Sequence, residues 1–234
     1  MDVIFDWLRV FPRAILLSAT GAGIGIFLWL HCCREMLPVK NKAVIFIALL
    51  QNIVGTLAAK AWAILEVGGN LDKAASLRLF GAVFFVPILY YGISKQAKIK
   101  LRDAMDMGAV ALAIGLFFAR FGCLITGCCI GTFIPGTENI RWPLREAELV
   151  FYILFILGYS GKVLRRETYG QVYPAFMLLY GGFRFVMEWA RVEYTTRFGV
   201  FHLAHIWALL SFAIGASIYF ELQEKRRSVK GNHD

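Results

Sequence analysis

Charged residues are scarce in this sequence: Asp, Glu, Lys and Arg together make up only 18% of 234 residues, while 59% of the residues are hydrophobic. An average soluble domain is about 25% charged and about half apolar. This shortage of charge excludes an intrinsically disordered chain and an ordinary water-soluble enzyme. The composition instead predicts an all-α polytopic membrane protein.

Cysteine is also too sparse and too irregularly placed to form a known framework. The five cysteines are Cys32, Cys33, Cys123, Cys128 and Cys129. An odd number with two adjacent pairs does not resemble a disulfide scaffold, and no spacing of Cys and His matches a zinc site. We therefore expect no bound metal and no cofactor. The N-terminus lacks the basic region of a secretory signal, so we also expect no cleavable signal peptide.

Long apolar runs, by contrast, are abundant. They fall at roughly 14–33, 43–65, 77–94, 105–125, 147–160, 172–190 and 200–221. A membrane-spanning helix needs about 20 such residues, so seven of them leave no room for a second soluble domain. We expect residues 1–234 to form one integral membrane domain of about seven helices. The fifth run is short, which predicts that its helix begins inside the preceding loop.

The net charge of +9 is distributed between the apolar runs, which indicates membrane orientation rather than a nucleic-acid-binding patch. With seven spans the connecting loops alternate between two sides. The loops around Arg34, Lys98 and Arg165 carry more Lys and Arg than the loops around Arg78 and Arg141. The positive-inside rule then predicts a cytoplasmic C-terminus and an external N-terminus.

Three basic residues, Lys60, Arg120 and Arg184, interrupt the apolar runs. A charge at the bilayer centre costs about 2.5–3.5 kcal/mol, so each requires a reason. In the predicted orientation all three lie in the outer half of the bilayer, where the planar fork of arginine suits a lipid phosphate. The alternative is that each side chain reaches the interface or pairs with a nearby acid.

A helical stripe surrounds Arg184, because Tyr180, Glu188 and Arg191 recur on the same face of the predicted helix. Glu188 lies one turn beyond Arg184, so a structural ion pair is the alternative to a ligand site. More polar residues fall on the predicted outer side: Glu148, His202 and His205, together with the loop glycines Gly122, Gly127 and Gly131. Such glycines either let backbone N–H groups approach a ligand or serve packing and turns. Histidines at an interface are either polar anchors or catalysts.

At these residues the chain resembles the prolipoprotein diacylglyceryl transferase family. The family signature Y-G-x-x-R-F-x-x-E-x-x-R is matched at Tyr180, Gly181, Arg184, Phe185, Glu188 and Arg191. Its central signature, approximately G-R-I-G-N-F-I-N-G-E-x-x-G, is similar to ARFGCLITGCCIG at 119–131. Weaker similarity covers GTLAAK at 55–60 and WPLREAELVFY at 142–152, where Pro143 and Glu148 match.

The resemblance implies seven helices and a transferase site facing outward from the bacterial cytoplasmic membrane. Members move the diacylglyceryl group of phosphatidylglycerol to the lipobox cysteine thiol of a prolipoprotein signal peptide, releasing glycerol 1-phosphate. The expected partners are therefore phosphatidylglycerol, the prolipoprotein and the lipid bilayer. The catalytic candidates are Arg120, Arg184, Glu148, Glu188 and His205. The substrate-binding candidates are Lys60, Tyr180, Gly122, Gly127, Gly131 and Arg191.

The sequence also departs from the family pattern. Only Gly81 remains of the H-G-G motif expected within LRLFGAVFF, so the histidine usually considered for thiol activation is absent. Cys123, Thr126 and Cys128 replace two asparagines and a glutamate of the central signature. Glu148, Glu188 or His205 is then the candidate base, unless the arginine field alone suffices. The alternatives are a divergent member with another acceptor and a non-catalytic carrier or binder of an anionic phospholipid or solute.

Overall fold

The computed structural model describes residues 2–66, 68, 77–137, 139–192, 197–198 and 201–231. Its first six helices are α1 (Asp2–Cys32), α2 (Asn41–Glu66), α3 (Leu79–Gln96), α4 (Leu101–Thr126), α5 (Leu144–Leu164) and α6 (Val172–Glu188). Two short antiparallel strands follow, β1 (Arg197–Phe198) and β2 (Phe201–His202), and α7 (Leu203–Gly231) closes the order. Helices therefore dominate the described part of the chain.

Six of these helices contain a stretch that is long and apolar enough to cross a bilayer: Arg13–Cys32, Asn41–Glu66, Leu79–Gln96, Leu101–Thr126, Leu144–Leu164 and Leu203–Arg226. The remaining helix, α6, has 17 residues, which is the short end of the spanning range. The predicted all-α polytopic membrane fold is confirmed, whereas seven spans, a single domain over 1–234 and the orientation stay predictions. Helix α5 begins at Leu144, inside the loop that preceded its apolar run, as expected.

Helix α4 forms the centre of the bundle and packs against α1, α3, α5 and α6. Its buried face is rich in Ala and Gly, which lets neighbouring helices approach closely where lipid gives no hydrophobic drive for association. Gly108 is one contact point, because a Cβ there would lie 2.6 Å from the ring of Tyr90. The indole Nε1 of Trp29 also donates a 2.9 Å hydrogen bond to the carbonyl of Met107.

The other helix pairs use the same small-residue contacts. In α3, a Cβ on Gly81 would lie 2.2 Å from the carbonyl oxygen of Ala58 in α2. Between α6 and α7, a Cβ on Gly181 would lie 2.6 Å from the carbonyl oxygen of Ala208. Large apolar side chains such as Leu157, which is 71% exposed, point outward instead. The bundle thus buries small residues between helices and presents large apolar ones to lipid.

Buried charged residues concentrate at the two ends of this bundle. Near the start of α4 lies Asp106, and near its end lies Arg120, 5% exposed. At 1.5 Å per residue the two positions are about 21 Å apart along the helix axis. The end with Arg120, which we call the cluster end, also carries the α4–α5 loop and the end of α6. In the predicted orientation the cluster end is external.

Candidate active site

Five charged side chains from three helices and the segment after α6 meet at the cluster end. Arg120 comes from the end of α4, Glu148 from the first turns of α5, Arg184 and Glu188 from α6, and Arg191 from just beyond it. Each of these side chains is at most 10% exposed. We call these five residues the arginine–glutamate cluster. Because Lys, Arg, Asp and Glu are almost never buried without partners, their contacts are the key to this site.

Glu148 is the centre of the cluster and contacts all three arginines. Its Oε1 accepts hydrogen bonds from Arg184 Nη1 at 2.9 Å and from Arg191 Nη2 at 2.6 Å. Its Oε2 accepts a hydrogen bond from Nε of Arg120. Both carboxylate oxygens are therefore occupied by guanidinium donors, and the geometry disfavours Glu148 as the base that takes a proton from substrate.

Arg184 bridges the two carboxylates of the cluster. Its Nη1 bonds Glu148, and its Nη2 lies 2.9 Å from Oε2 of Glu188 in an i,i+4 ion pair. The guanidinium also lies over the ring of Phe80, 5.6 Å from the centroid. Within the described part of the chain, no hydrogen-bond acceptor lies within reach of its Nε. The two ends of the arginine fork thus serve ion pairs here, leaving Nε as the donor available to a ligand.

The cluster carries three positive and two negative charges, so one positive charge is left over among its members. Each guanidinium has five N–H donors, which two carboxylates cannot all satisfy. Arg191 also contacts Glu188, with 3.5 Å between Nε and Oε2. Burial, together with the charges of Arg184 and Arg120, lowers the pKa of Arg191. Buried guanidinium groups with spare donors and surplus charge suit an anion such as a phosphate.

The loop between α4 and α5 fixes the position of Arg191. Gly131 forms an antiparallel bridge with Arg191, and the N–H of Thr132 donates a 2.8 Å hydrogen bond to the carbonyl of Ala190. A Cβ on Gly131 would lie 2.4 Å from the carbonyl oxygen of Trp142, so this close approach requires glycine. The loop therefore holds the end of α6, and with it the Arg191 side chain, against the cluster.

The structure gives the other predicted glycines local roles as well. Gly122 packs against α1, since a Cβ there would lie 3.0 Å from the hydroxyl of Ser18. Gly127 ends α4 in the left-handed conformation, at φ 69°. Neither contact includes a residue of the arginine–glutamate cluster. The substrate-binding roles expected for Gly122, Gly127 and Gly131 stay predictions.

Tyr180 forms the apolar floor beneath the cluster, one turn before Arg184 on α6. It is fully buried, and its ring stacks on Phe176 at 5.5 Å with an interplanar angle of 7°. The ring also lies 5.5 Å from Phe80, the residue that contacts Arg184. The part of the predicted stripe that lies within α6, formed by Tyr180, Arg184 and Glu188, therefore faces the bundle interior. Arg191 does not continue the stripe as helix, because α6 ends at Glu188 and Arg191 lies in the bridge to Gly131. The contribution of Tyr180 to substrate binding stays a prediction.

His205 lies near the start of α7 in an aromatic pocket formed with Phe185 and Trp189. Its Nδ1 accepts a 3.1 Å hydrogen bond from the backbone N–H of His202. A neutral imidazole whose Nδ1 accepts carries its proton on Nε2. The geometry therefore favours His205 as a donor and disfavours it as the base.

Lys60 lies on α2, one residue beyond Ala59, which packs on Gly81. Lys60 therefore belongs to the cluster end of the bundle.

The structure also brings together three cysteines that the sequence does not mark as a site: Cys123, Cys128 and Cys129. Their Sγ atoms all lie within 4.8 Å of one another. Nη1 of Arg120 lies 4.0 Å from Sγ of Cys123, so the thiols lie beside the arginine–glutamate cluster. The spacing alone does not predict this, because the chain must turn back at Gly127 and again at Cys129, whose φ is +58°. Contacts with the Cys123 and Cys128 thiols, aided by the charges of Arg120 and Arg191, lower the pKa of Cys129. The available signal in the sequence was that Cys123 and Cys128 stand where the central family signature has polar residues.

Comparison with known proteins covers most of the chain. The family model for prolipoprotein diacylglyceryl transferase matches residues 15–221. A protein of Dehalococcoides mccartyi named phosphatidylglycerol–prolipoprotein diacylglyceryl transferase is 23% identical over 179 residues, 69% of this chain and 68% of the relative. A protein of the same name from Clostridium tetani is 22% identical over 197 residues, 74% and 78% of the two chains. The one from Finegoldia magna is 25% identical over 181 residues, 71% and 69% of the two chains.

The matched region contains all five residues of the arginine–glutamate cluster, on four different segments of the chain. It also contains the six helices that are long and apolar enough to span a bilayer, apart from their outermost turns. The low identity of the relatives agrees with the departures seen in the central signature. The chain belongs to the prolipoprotein diacylglyceryl transferase family as a divergent, multi-pass membrane member.

Proposed function

We propose that this protein transfers the diacylglyceryl group of phosphatidylglycerol to the cysteine thiol of a prolipoprotein lipobox. The reaction takes place at the outer face of the bacterial cytoplasmic membrane and releases glycerol 1-phosphate. The proposal rests on the family membership, on the names of the relatives and on the buried arginine–glutamate cluster. Of these three, the arginine–glutamate cluster is the observation on which the proposal chiefly depends.

The chemistry of the transfer explains why such a cluster is useful. The acceptor sulfur, as thiolate, attacks the diacylglyceryl carbon that bears the phosphate ester and forms a C–S bond. The C–O bond breaks, and its electron pair leaves on the phosphate oxygen of glycerol 1-phosphate. The thiol proton passes to solvent before or during the attack. The step therefore needs donors aimed at a phosphate on which negative charge increases, and removal of one such donor typically costs about 100- to 1,000-fold in rate.

Within the cluster, Arg184 is the residue that we place closest to the phosphate. Its Nε is buried and has no acceptor among the described residues, while its two Nη atoms are held by Glu148 and Glu188. The two carboxylates thereby preorganise the guanidinium plane, which lowers the cost of aligning it during the reaction. Arg120 and Arg191 add positive charge and further donors on either side of Glu148.

The proposal is tested by reconstituting the full-length protein in vesicles with phosphatidylglycerol labelled in its acyl chains. A peptide with a lipobox cysteine is the acceptor, and the same peptide with serine at that position is the matched control. We expect label on the cysteine peptide only, with glycerol 1-phosphate released in equal amount. Binding of phosphatidylglycerol without any label transfer would contradict the proposal and identify a carrier or binder that uses the same cationic site.

A further inference from the structure

The expected bases of the transfer reaction are engaged elsewhere. Both oxygens of Glu148 accept from arginines, Glu188 pairs with Arg184, and Nδ1 of His205 accepts from the backbone. The formation of the attacking thiolate is therefore not explained by these residues. The three cysteines beside Arg120 offer a different way of forming it.

The three thiols lie close enough together to form three corners of a tetrahedral metal site. The Sγ atoms of Cys123 and Cys129 lie 3.8 Å apart, and all three Sγ atoms lie within 4.8 Å of one another. A tetrahedral ion with metal–sulfur distances of about 2.3 Å places its sulfur ligands about 3.8 Å apart. Cys123 and Cys129 thus already span one edge of such a site, and Cys128 completes three corners after a small side-chain rotation.

The local backbone is shaped to bring these thiols together. Helix α4 ends at Gly127 in the left-handed conformation, and Cys129 is itself left-handed at φ +58°. This conformation is unfavourable for a non-glycine residue, and it persists where the surroundings impose it. It turns the chain so that Cys129 folds back over Cys123 at the end of the helix. Without this reversal the two thiols, six residues apart, would not meet.

The surroundings of the three thiols favour their thiolate form, which is the form that binds a metal ion. Nη1 of Arg120 lies 4.0 Å from Sγ of Cys123, and Oγ1 of Thr126 lies 3.2 Å from Sγ of Cys128. A guanidinium and a hydroxyl around the sulfurs stabilise thiolates and orient them for a metal. Cys128 is exposed, which gives an ion a path of entry. Thiolates select zinc-class and softer ions over magnesium or calcium.

We propose that Cys123, Cys128 and Cys129 bind one zinc-class divalent metal ion, with the fourth coordination position open to the thiol of the acceptor. Three protein ligands with an open position are typical of catalytic zinc. An acceptor thiol that binds there loses its proton to solvent and becomes a thiolate, with no change in the oxidation state of the metal. The metal site stands on the geometry alone, whereas its role toward the acceptor rests on the proposed transferase function.

Metal binding is tested without any substrate, on the purified full-length protein reduced with a phosphine under anaerobic conditions. Co²⁺ is the probe, because thiolate ligands give it strong charge-transfer absorption and tetrahedral geometry gives it intense visible bands. We expect one Co²⁺ per chain, displaced by Zn²⁺. The charge-transfer band is expected to weaken in Cys123→Ser, Cys128→Ser and Cys129→Ser. Cys32→Ser is the matched control and keeps the full spectrum, because Cys32 is the last residue of α1 and lies at the end of the bundle away from the three thiols.

Three results would overturn the metal site. The first is the absence of thiolate-to-Co²⁺ absorption in the reduced protein, and the second is a spectrum that none of the three serine substitutions changes. The third is a disulfide between Cys123 and Cys129 that cannot be reduced without unfolding. If one of the serine variants fails to fold, the parent protein is alkylated with and without stoichiometric Zn²⁺ instead. Mass spectrometry then shows which thiols Zn²⁺ protects. Protection of Cys123, Cys128 and Cys129 supports the site, and alkylation at the rate seen without Zn²⁺ contradicts it.

The role toward the acceptor has its own readout. Addition of the lipobox cysteine peptide to the Co²⁺-loaded protein is expected to increase the charge-transfer absorption, since a fourth thiolate binds, whereas the serine peptide leaves it unchanged. An unchanged spectrum with both peptides, although Co²⁺ is bound, would overturn the acceptor role and leave the metal site standing. Transfer that persists in full after the metal has been removed would also overturn the acceptor role of the metal. It would leave the proposed transferase function intact.

Discussion

The two ends of this bundle each bury a carboxylate, and the two are held by opposite means. At one end, Asp106 accepts hydrogen bonds from the backbone N–H groups of Gly170 and Val172 and from the hydroxyl of Thr168. At the cluster end, Glu148 accepts from three guanidinium groups. Neutral donors anchor the α5–α6 connection to α4, and they add no charge. Guanidinium donors leave a positive surplus and spare N–H groups.

The difference separates a structural carboxylate from one that organises a site. Asp106 satisfies the N–H of Val172, the first residue of α6, where a helix has N–H groups without partners, and the N–H of Gly170 just before the helix. The contacts of Asp106 therefore stabilise the fold. Glu148 instead holds arginines that face one another, which would repel without it. We infer that the cluster end is built for an anionic substrate and the Asp106 end for packing, and four substitutions test this inference.

Glu148→Gln is expected to have the largest effect. Three buried guanidinium groups would retain one carboxylate, Glu188, and breaking a buried ion pair from one side typically destabilises by about 3–5 kcal/mol. We expect a large drop in thermal stability in detergent, measured by a thermofluor or light-scattering melt, and loss of transfer. Val150→Ala, an exposed position on the same helix, is the control. A melt equal to that of the parent protein would contradict the central role of Glu148.

Arg184→Lys is expected to lower transfer by about 100- to 1,000-fold while the protein still folds. The planar fork of Arg184 bridges Glu148 and Glu188 while its Nε faces the phosphate. Lysine keeps the charge but cannot make these contacts at the same time. Arg165→Lys changes an exposed arginine in the same way and should leave transfer unchanged. Rates are measured per folded molecule in vesicles. Recovery of transfer in the double variant Arg184→Gln with Glu188→Gln would show that Arg184 only neutralises Glu188.

Gly131→Ala is expected to lower transfer by about tenfold to 100-fold with a smaller loss of stability. The new Cβ would collide with the carbonyl of Trp142, so the bridge to Arg191 must shift, and displacements of about 1 Å can cost this much. Gly158→Ala, where a Cβ meets open space, is the matched control. Equal transfer by both variants would show that the loop does not position Arg191.

Asp106→Asn is expected to have the smallest effect, a destabilisation of about 1–3 kcal/mol. The amide retains one acceptor oxygen, so one of the donors from Thr168, Gly170 or Val172 loses its partner. The melting temperature is compared with that of Asp103→Asn, an acid three residues earlier on α4 that is partly exposed. A loss as large as that of Glu148→Gln would erase the distinction between the two ends.

The sequence predicts much of this arrangement and misses its centre. The apolar runs predict the helices, and the spacing of Arg184 and Glu188 predicts their i,i+4 pair, because both depend on local periodicity. The role of Glu148 is not local: it depends on how α5 packs beside α4 and α6. Arg184 shows the same limit, since its fork holds two carboxylates where the sequence suggested a free fork for phosphate.

The cysteines were missed for a related reason. Their spacing matches no metal-binding pattern, and only the left-handed turns at Gly127 and Cys129 bring Cys123 and Cys129 into contact. Turns of this kind are not specified by residue type at Cys129, because cysteine rarely adopts a positive φ. The sequence therefore supports an expectation of no metal, while the structure supports the proposed site.

The most direct test of the central claim compares one variant from each end in the same vesicles. Transfer of labelled diacylglyceryl from phosphatidylglycerol to the lipobox cysteine peptide is measured for Arg184→Lys and Asp106→Asn, each normalised to folded protein. We expect a loss of about 100- to 1,000-fold for Arg184→Lys and a rate close to that of the parent for Asp106→Asn. Equal rates for the two variants would contradict the claim that the arginine–glutamate cluster performs the transfer.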